Sequence, residues 1–369
     1  MVASSVMEAI GRRIVSLLPV VCFLFCTCSA VRNPPLFFIF GDSLVDVGNN
    51  NFIRSLAKGN FYPHGIDFGR PTGRLTNGRT AFDIVEQVLG SRNFTPPYLD
   101  PATTTEAVIQ HGANYASSGS GFLNETGEIF GGRIDFHRQI GYHTIARQAI
   151  ISMIGDTAAK KLLRRAVYVI ATGWSNDLLY ERATAKQRKL NSPDAFLNYL
   201  MSTIRTELTR LHSFDAREMI VTNVGPIGCI PFARDSNPLP SNGCVGRMNA
   251  RARLCNKRMK EMLVDLSAEL KGSKILYADI YAILEDLLKN YQSYGFENAD
   301  SACCALRGAH GGLTPCGRKS RVCSDRSRHV FWDPFHLTES ANRIAVRELL
   351  YGGPDYISPI NISQLVNSG

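Results

Sequence analysis

Short apolar runs alternate along this chain with longer stretches in which apolar residues recur every three or four positions. PLFFIF (35–40) stops at Gly41 and reads as a strand buried on both faces. AVYVIAT (166–172), EMIVTNV (218–224) and KILYADI (274–280) have similar length and a similar β-branched and aromatic content. A shorter strand is expected at Asn114 to Ser117, after His111-Gly112. Residues 80–89, 142–154, 193–212, 248–270 and 338–350 carry helical periodicity. Strands alternating with helices predict an α/β fold whose mostly parallel sheet is covered on both faces. Such sheets bind ligands beyond the carboxyl ends of their strands, so chemistry is to be sought directly after the apolar runs. No internal repeat or low-complexity linker interrupts the alternation, which predicts a single domain over residues 31–369.

The first thirty residues follow a different pattern. Arg12 and Arg13 precede an apolar run from Ile14 to Cys26, and Cys28-Ser29-Ala30 ends it with small residues. That is the arrangement of a secretory signal peptide, residues 1–30, cleaved after Ala30. As an anchor the run is short for a hydrocarbon layer of about 30 Å, and Pro19 interrupts it. No later stretch approaches the ~20 apolar residues of a membrane helix, so the processed chain is expected to be secreted and without a transmembrane segment.

A content of 44% hydrophobic and 20% charged residues is globular. Loss of Arg12, Arg13 and Glu8 would change the net charge of +9 by one unit. The positive excess favours anionic partners such as acidic polysaccharide or lipid headgroups, but a generic soluble surface is the plainer reading. Without a block of consecutive basic residues, no nucleic-acid partner is expected.

Cysteine changes the picture further. Cys22, Cys26 and Cys28 leave with the leader, and Cys229, Cys244, Cys255, Cys303, Cys304, Cys316 and Cys323 remain. In an oxidising compartment six of these are expected to form three disulfides, with about fifteen connectivities open. Cys255, inside a helical pattern, is the one expected to stay outside them as a small buried hydrophobe. A zinc site built from Cys303, Cys304, His310, Cys316 and Cys323 is the weaker alternative. The sequons at Asn93, Asn124 and Asn361 suit the same compartment and are candidate glycosylation sites.

The first candidate for chemistry is Ser43, in Gly41-Asp42-Ser43 directly after the first apolar run. A serine on a tight turn beyond a strand exposes its hydroxyl, and its own N–H can face a developing oxyanion. The blander alternative is a polar turn closing the strand. The second is Asp333-Pro334-Phe335-His336. A histidine titrates near operating pH, and a carboxylate on its second nitrogen sets tautomer and orientation. The alternative has Asp333 capping the helix that begins near Thr338. Gly112 to Gly121 (GANYASSGSG) is a small-residue loop whose glycines let a backbone N–H approach a reacting centre. Gly173-Trp174-Ser175-Asn176-Asp177 follows the second strand run and offers an amide donor, or simply an Asx turn.

Taken together, these segments resemble one family. FIFGDSLVDVGNNN (38–51), YPHGIDFGRPTGRLTNGRT (62–80), GANYASSGSG, GPIGCIP (225–231), Cys303-Cys304 and FWDPFHLTE (331–339) follow the order seen in the plant branch of the GDSL esterase/lipases, within the SGNH hydrolases. The resemblance covers essentially the whole processed chain. It implies a three-layer α/β/α sandwich with a flavodoxin-like sheet. It also implies hydrolysis of carboxylic esters through an acyl-enzyme, with Ser43 as nucleophile, His336 as base then acid, and Asp333 as its orienter. The oxyanion hole would be the N–H groups of Ser43 and Gly119 and the Asn176 amide. No metal or cofactor is implied. Expected substrates are small-molecule or lipid esters, with acetylated wall polysaccharide, cutin-type esters or transacylation as enzymatic alternatives. A non-catalytic secreted binding protein on the same fold is the remaining rival. The oligomeric state stays open.

Three positions depart from the family pattern: Trp174 replaces a glycine two residues before Asn176, Ser118 a glycine beside Gly119, and Cys255 an aromatic residue before Asn256. Asp42 is expected to stabilise the turn instead of acting as a second base. Asp46 and Asn49 to Asn51 are expected to brace the loop behind Ser43 by local hydrogen bonds. Arg74 to Arg79 reads as a structural loop or a substrate-orienting one. His64, His111, His137, His143, His212, His310 and His329 lack an acid at matching spacing and are expected at the surface or in packing.

Overall fold

The structure, a computed structural model, describes residues 34–171, 174–179, 192–237 and 243–368, with Trp174 and Ser175 described in backbone only. Residues 1–30, read above as a signal peptide, together with Gly173 and the Trp174 side chain therefore lie outside the described residues.

Five strands and one late addition form the main sheet. β1 (Phe37–Gly41) lies between β2 (Ala113–Asn114) and β3 (Val167–Ala171), followed outward by β4 (Glu218–Thr222) and β5 (Lys274–Ala278), all parallel. Four of these are the apolar runs of the sequence, and β2 is shorter than expected. Beyond β5, two small two-stranded sheets pair β6 (Asn298–Ala302) with β9 (His329–Phe331) and β7 (Cys304–Ala305) with β8 (Arg321–Val322). β10 (Ile357–Ser358) closes the main sheet antiparallel to β5.

Strand residues alternate between two cores. Phe38, Phe40, Tyr168, Ile170, Met219 and Val221 face one, while Phe37, Ile39, Val167, Val169 and Ile220 face the other. Helices therefore cover both faces, giving three layers. The helices are, in order, α1 (Ala81–Val88), α2 (Thr105–His111), α3 (Phe136–Ile154), α4 (Asp156–Arg165), α5 (Trp174–Leu179), α6 (Pro193–Ser213), α7 (Pro231–Ser236), α8 (Gly246–Glu269), α9 (Ile280–Lys289), α10 (Glu339–Tyr351) and α11 (Ile362–Asn367). The first core collects α2, α3, α4, α6 and α8; the second collects α1, α9, α10 and α11. Among the described residues no helix is long and apolar enough to cross a membrane.

Two boundaries differ from expectation for local reasons. The helix read from Tyr142 begins at Phe136, where the Asp135 side chain accepts the Arg138 N–H. Gln139 and His143 lie on its buried face and disguise the apolar stripe. The run KILYADI ends its strand at Ala278, because Asp279 caps α9 by accepting the Ala282 N–H.

Candidate active site

Ser43 sits on a turn whose entry leaves no room for a side chain. A Cβ at Gly41 would meet the Ala171 carbonyl oxygen at 2.3 Å and Val45 Cγ2 at 2.4 Å. The Gly41 backbone is gripped from α3: its N–H donates to Gln139 Oε1 at 2.9 Å and its carbonyl accepts from Gln139 Nε2 at 2.9 Å. That carbonyl also accepts the Ser117 N–H and the Ser120 hydroxyl, both at 3.0 Å. Next, Asp42 Oδ1 accepts the Leu44 N–H at 2.9 Å, in keeping with the turn role expected of it. Burial pushes the Asp42 carboxyl up to about 7, against the pull of that N–H and of His336.

The opposing turn is self-contained. Asp333 Oδ1 accepts the N–H groups of Phe335 and His336, both at 2.8 Å, while Trp332 N–H donates to the His336 carbonyl at 2.8 Å. The helix cap is Thr338, which accepts the Ala341 N–H, so Asp333 is left for the imidazole. His336 Nδ1 lies 2.8 Å from both Asp333 oxygens, and its Nε2 lies 2.7 Å from Ser43 Oγ. Burial opposes ionisation of Asp333, but the His336 charge and hydrogen bond hold its carboxyl below the ordinary value. Burial likewise opposes the imidazolium, yet Asp333, with a contribution from Asp42, holds His336 above its ordinary value.

The turn is braced from behind. Cys303 and Cys304 donate their N–H groups to the carbonyls of Phe331 and Trp332. Disulfides join Cys303 to Cys323 and Cys304 to Cys316, and a third joins Cys229 to Cys244, leaving Cys255 buried in α8 and outside them. Cys303, Cys304 and Cys316 pack around the fully buried Trp332, whose indole N–H donates to His64 Nδ1 at 3.1 Å.

Asn176 lies with Ser43 and His336 in the wall of one cavity. Its amide donates to the Ser120 carbonyl at 2.8 Å, which leaves its second N–H for another acceptor. Gly119 takes φ +84°, the region glycine favours, and lies just before that carbonyl, outside the cavity wall. Among the described residues neither the Ser43 nor the Gly119 N–H meets an acceptor. The Asp46–Asn50 brace reaches further than the local bonds expected of it. Asp46 takes the N–H groups of Gly48 and Asn49, but also the Ser118 N–H and hydroxyl. Asn49 donates to the Asn114 and Ala116 carbonyls, and Asn50 to those of Ala57 and Ser118.

Several roles had no legible signal. Gln139 was hidden as a polar residue on a buried helix face. Asp177 accepts the Phe122 and Leu123 N–H groups and the Thr126 hydroxyl, and so ties the loop after β2 to α5. Two of the histidines without an acid at matching spacing meet one from a distant element: His137 pairs with Glu207 at 2.7 Å and His310 with Asp235 at 2.9 Å. His64 is buried and packs against Phe61 and Trp332. In the 74–79 loop, Arg74 is bound to Asp83 and Arg79 to Glu339, which favours the structural reading. Asn93 and Asn124 are exposed. Asn361 is only half-exposed, and its side chain caps α11.

A hydroxyl, an imidazole and a carboxylate thus lie hydrogen-bonded in line beyond a parallel strand, an arrangement that can draw a proton from a serine to a histidine. The sequence model of the family described as GDSL-like Lipase/Acylhydrolase matches residues 37–349. Arabidopsis thaliana GDSL esterase/lipase At4g16230 is 49% identical, covering 94% of this chain and 95% of its own length. GDSL esterase/lipase At2g23540 from the same plant is 41% identical over 89% of this chain and 87% of its own. GDSL esterase/lipase 7, also from that plant, is 36% identical over 90% and 92%. The chain belongs to the GDSL esterase/lipase family, has its α/β fold, and is a carboxylic ester hydrolase.

Proposed function

We propose that this protein is a secreted esterase in which Ser43, His336 and Asp333 act as a catalytic triad. Ser43 Oγ attacks the ester carbonyl carbon as its proton passes to His336 Nε2. The oxyanion is held by the N–H groups of Ser43 and Gly119 and the spare N–H of Asn176. His336 returns the proton to the alcohol oxygen as the carbon–oxygen bond breaks and the alcohol leaves. Water then attacks the acyl-enzyme, giving a proton to His336, which passes it to Ser43 Oγ as the acid is released. Asp333 keeps Nδ1 protonated and stabilises the imidazolium between these transfers.

The observation that carries this reading is the continuous line of contacts, 2.7 Å from Ser43 to His336 and 2.8 Å from His336 to Asp333. Residues 1–30 are assigned as a cleaved leader on their sequence pattern, and the three disulfides suit an oxidising compartment. The test is labelling with a fluorophosphonate probe beside hydrolysis of p-nitrophenyl esters. Wild type should label and turn over, whereas Ser43→Ala should fold normally and do neither. A correctly folded wild type that does not label would leave a binding protein on this fold.

A further inference from the structure

Ser43 lines a cavity of about 1230 Å³, counting the open solvent at its entrance. It is walled by Leu284 and Leu288 of α9, Ala345 and Leu349 of α10, Phe331 of β9 and Ile227 of the loop after β4. Among the described residues the only titratable side chains in its wall are Asp42 and His336. Two of its polar side chains are already committed to the protein. The Asn223 amide donates to the Tyr277 hydroxyl and to Asp279 while its oxygen accepts the Tyr281 N–H, and the Asn342 amide donates to the Arg79 carbonyl. Such a wall rewards apolar contact and offers few spare hydrogen bonds to a sugar.

We propose that this cavity is a slot for one linear alkyl chain of the ester, with Ala345 and Leu349 setting the chain length it accepts. The proposal rests on the hydrolytic reading of the same site. The helices supply a ruler. α10 starts at Glu339, three residues after His336, so Ala345 and Leu349 lie about 9 and 15 Å along its axis at ~1.5 Å per residue. On α9, Leu288 lies about 12 Å from Ile280 by the same rise. With C–C bonds of ~1.5 Å, a zigzag chain advances about 1.25 Å per carbon, so the stretch of α10 from Glu339 to Leu349 matches the length of roughly 12 carbons. Ala345, one turn before Leu349 on the same face of α10, lines the cavity with a methyl group where a larger side chain would take up space. A short acetyl ester would leave most of this wall unused.

The test separates the slot from the chemistry. Binding of 11-(dansylamino)undecanoate to the full protein is followed by fluorescence, with decanoate and acetate as competitors. Decanoate should displace the probe and acetate should not, and Ala345→Leu should weaken probe binding at least tenfold. Ethyl decanoate and decyl acetate then report which side of the ester the slot holds: Ala345→Leu should reduce kcat/KM tenfold or more for one of them. Unchanged probe binding in a folded Ala345→Leu, or loss with neither ester, overturns the slot. If Ala345→Leu does not fold, Leu349→Ala decides: its optimum should move to chains about two carbons longer either among ethyl alkanoates or among alkyl acetates, and an optimum unmoved in both series overturns the proposal. Fluorophosphonate labelling without probe binding leaves the hydrolase and removes the slot. Probe binding without labelling does the reverse.

Discussion

The two halves of the candidate active site are built in opposite ways. The turn from Trp332 to Thr338 makes its own geometry: carboxylate, imidazole and two backbone N–H groups meet within four residues, and nearby disulfides hold the turn from behind. The Ser43 turn borrows its geometry. Gly41 is held by Gln139, 98 residues later, and Asp46 by Ser118, 72 residues later. A local turn needs little from the rest of the fold to place its groups. A borrowed one is only as good as the packing of α3 and of the loop after β2, so mutations at a distance should reach the nucleophile more readily than the base.

The largest effect should come from the local half. Asp333→Asn keeps an oxygen for the two backbone N–H groups but presents an amide to His336 Nδ1, favouring the wrong tautomer. The expected fall in kcat is on the order of 10⁴ with little change in Tm. A loss below tenfold would break the assignment of Asp333 as orienter. On the borrowed half, Gln139→Ala leaves the Gly41 N–H unsatisfied, at a cost of about 1–3 kcal/mol. If Gln139 positions Ser43, kcat should also fall by up to ~10²-fold well below the melting temperature, with KM unchanged. Denaturant unfolding and steady-state kinetics together decide it; a loss of stability with kcat intact would make Gln139 a packing residue only.

Smaller effects appear in pH dependence. The base must be neutral to accept the Ser43 proton, and Asp333 holds the His336 value up. The acid limb of kcat/KM should therefore lie above the ordinary histidine range, and in the residual activity of Asp333→Asn it should move to lower pH. Movement to higher pH would contradict the electrostatic account. The smallest effect concerns Glu86, whose oxygen accepts the Thr95 N–H and whose neighbour Asp83 binds Arg74. Burial, with Asp83 adding to it, pushes Glu86 up to about 8. Between about pH 4 and 8 the folded chain thus retains a proton that the unfolded chain has lost, so this group makes stability fall as pH rises. Glu86→Gln should flatten the decline of Tm over that interval, and an unchanged slope would place the Glu86 titration elsewhere.

Much of the fold was legible because buried parallel strands write themselves as continuous apolar runs. β1, β3, β4 and β5 follow PLFFIF, AVYVIAT, EMIVTNV and KILYADI closely. The shorter or more polar helices α2 and α4 escaped, and α9 was masked because strand and helix meet at Asp279 without a change in hydrophobicity. At the site, Asp333 and His336 could be read together because they stand only three positions apart. Gly119 and Asn176 took their roles from resemblance to a family, since a glycine loop and an Asx turn have many other uses. Gln139 and His64 carried no local mark, because their partners Gly41 and Trp332 stand 98 and 268 residues away.

By itself the sequence determined which segments would form the parallel strands of the main sheet, that this sheet would be buried on both faces, and that an imidazole would lie close to a carboxylate. These follow from side-chain period and short-range geometry, which act within a few residues. Only the tertiary structure decided which cysteines pair, what grips Gly41, and that Ser43 Oγ comes within 2.7 Å of a histidine 293 residues later. Those contacts depend on how the two helical layers close over the sheet, and no local pattern of residues encodes the distance between segments that only packing brings together.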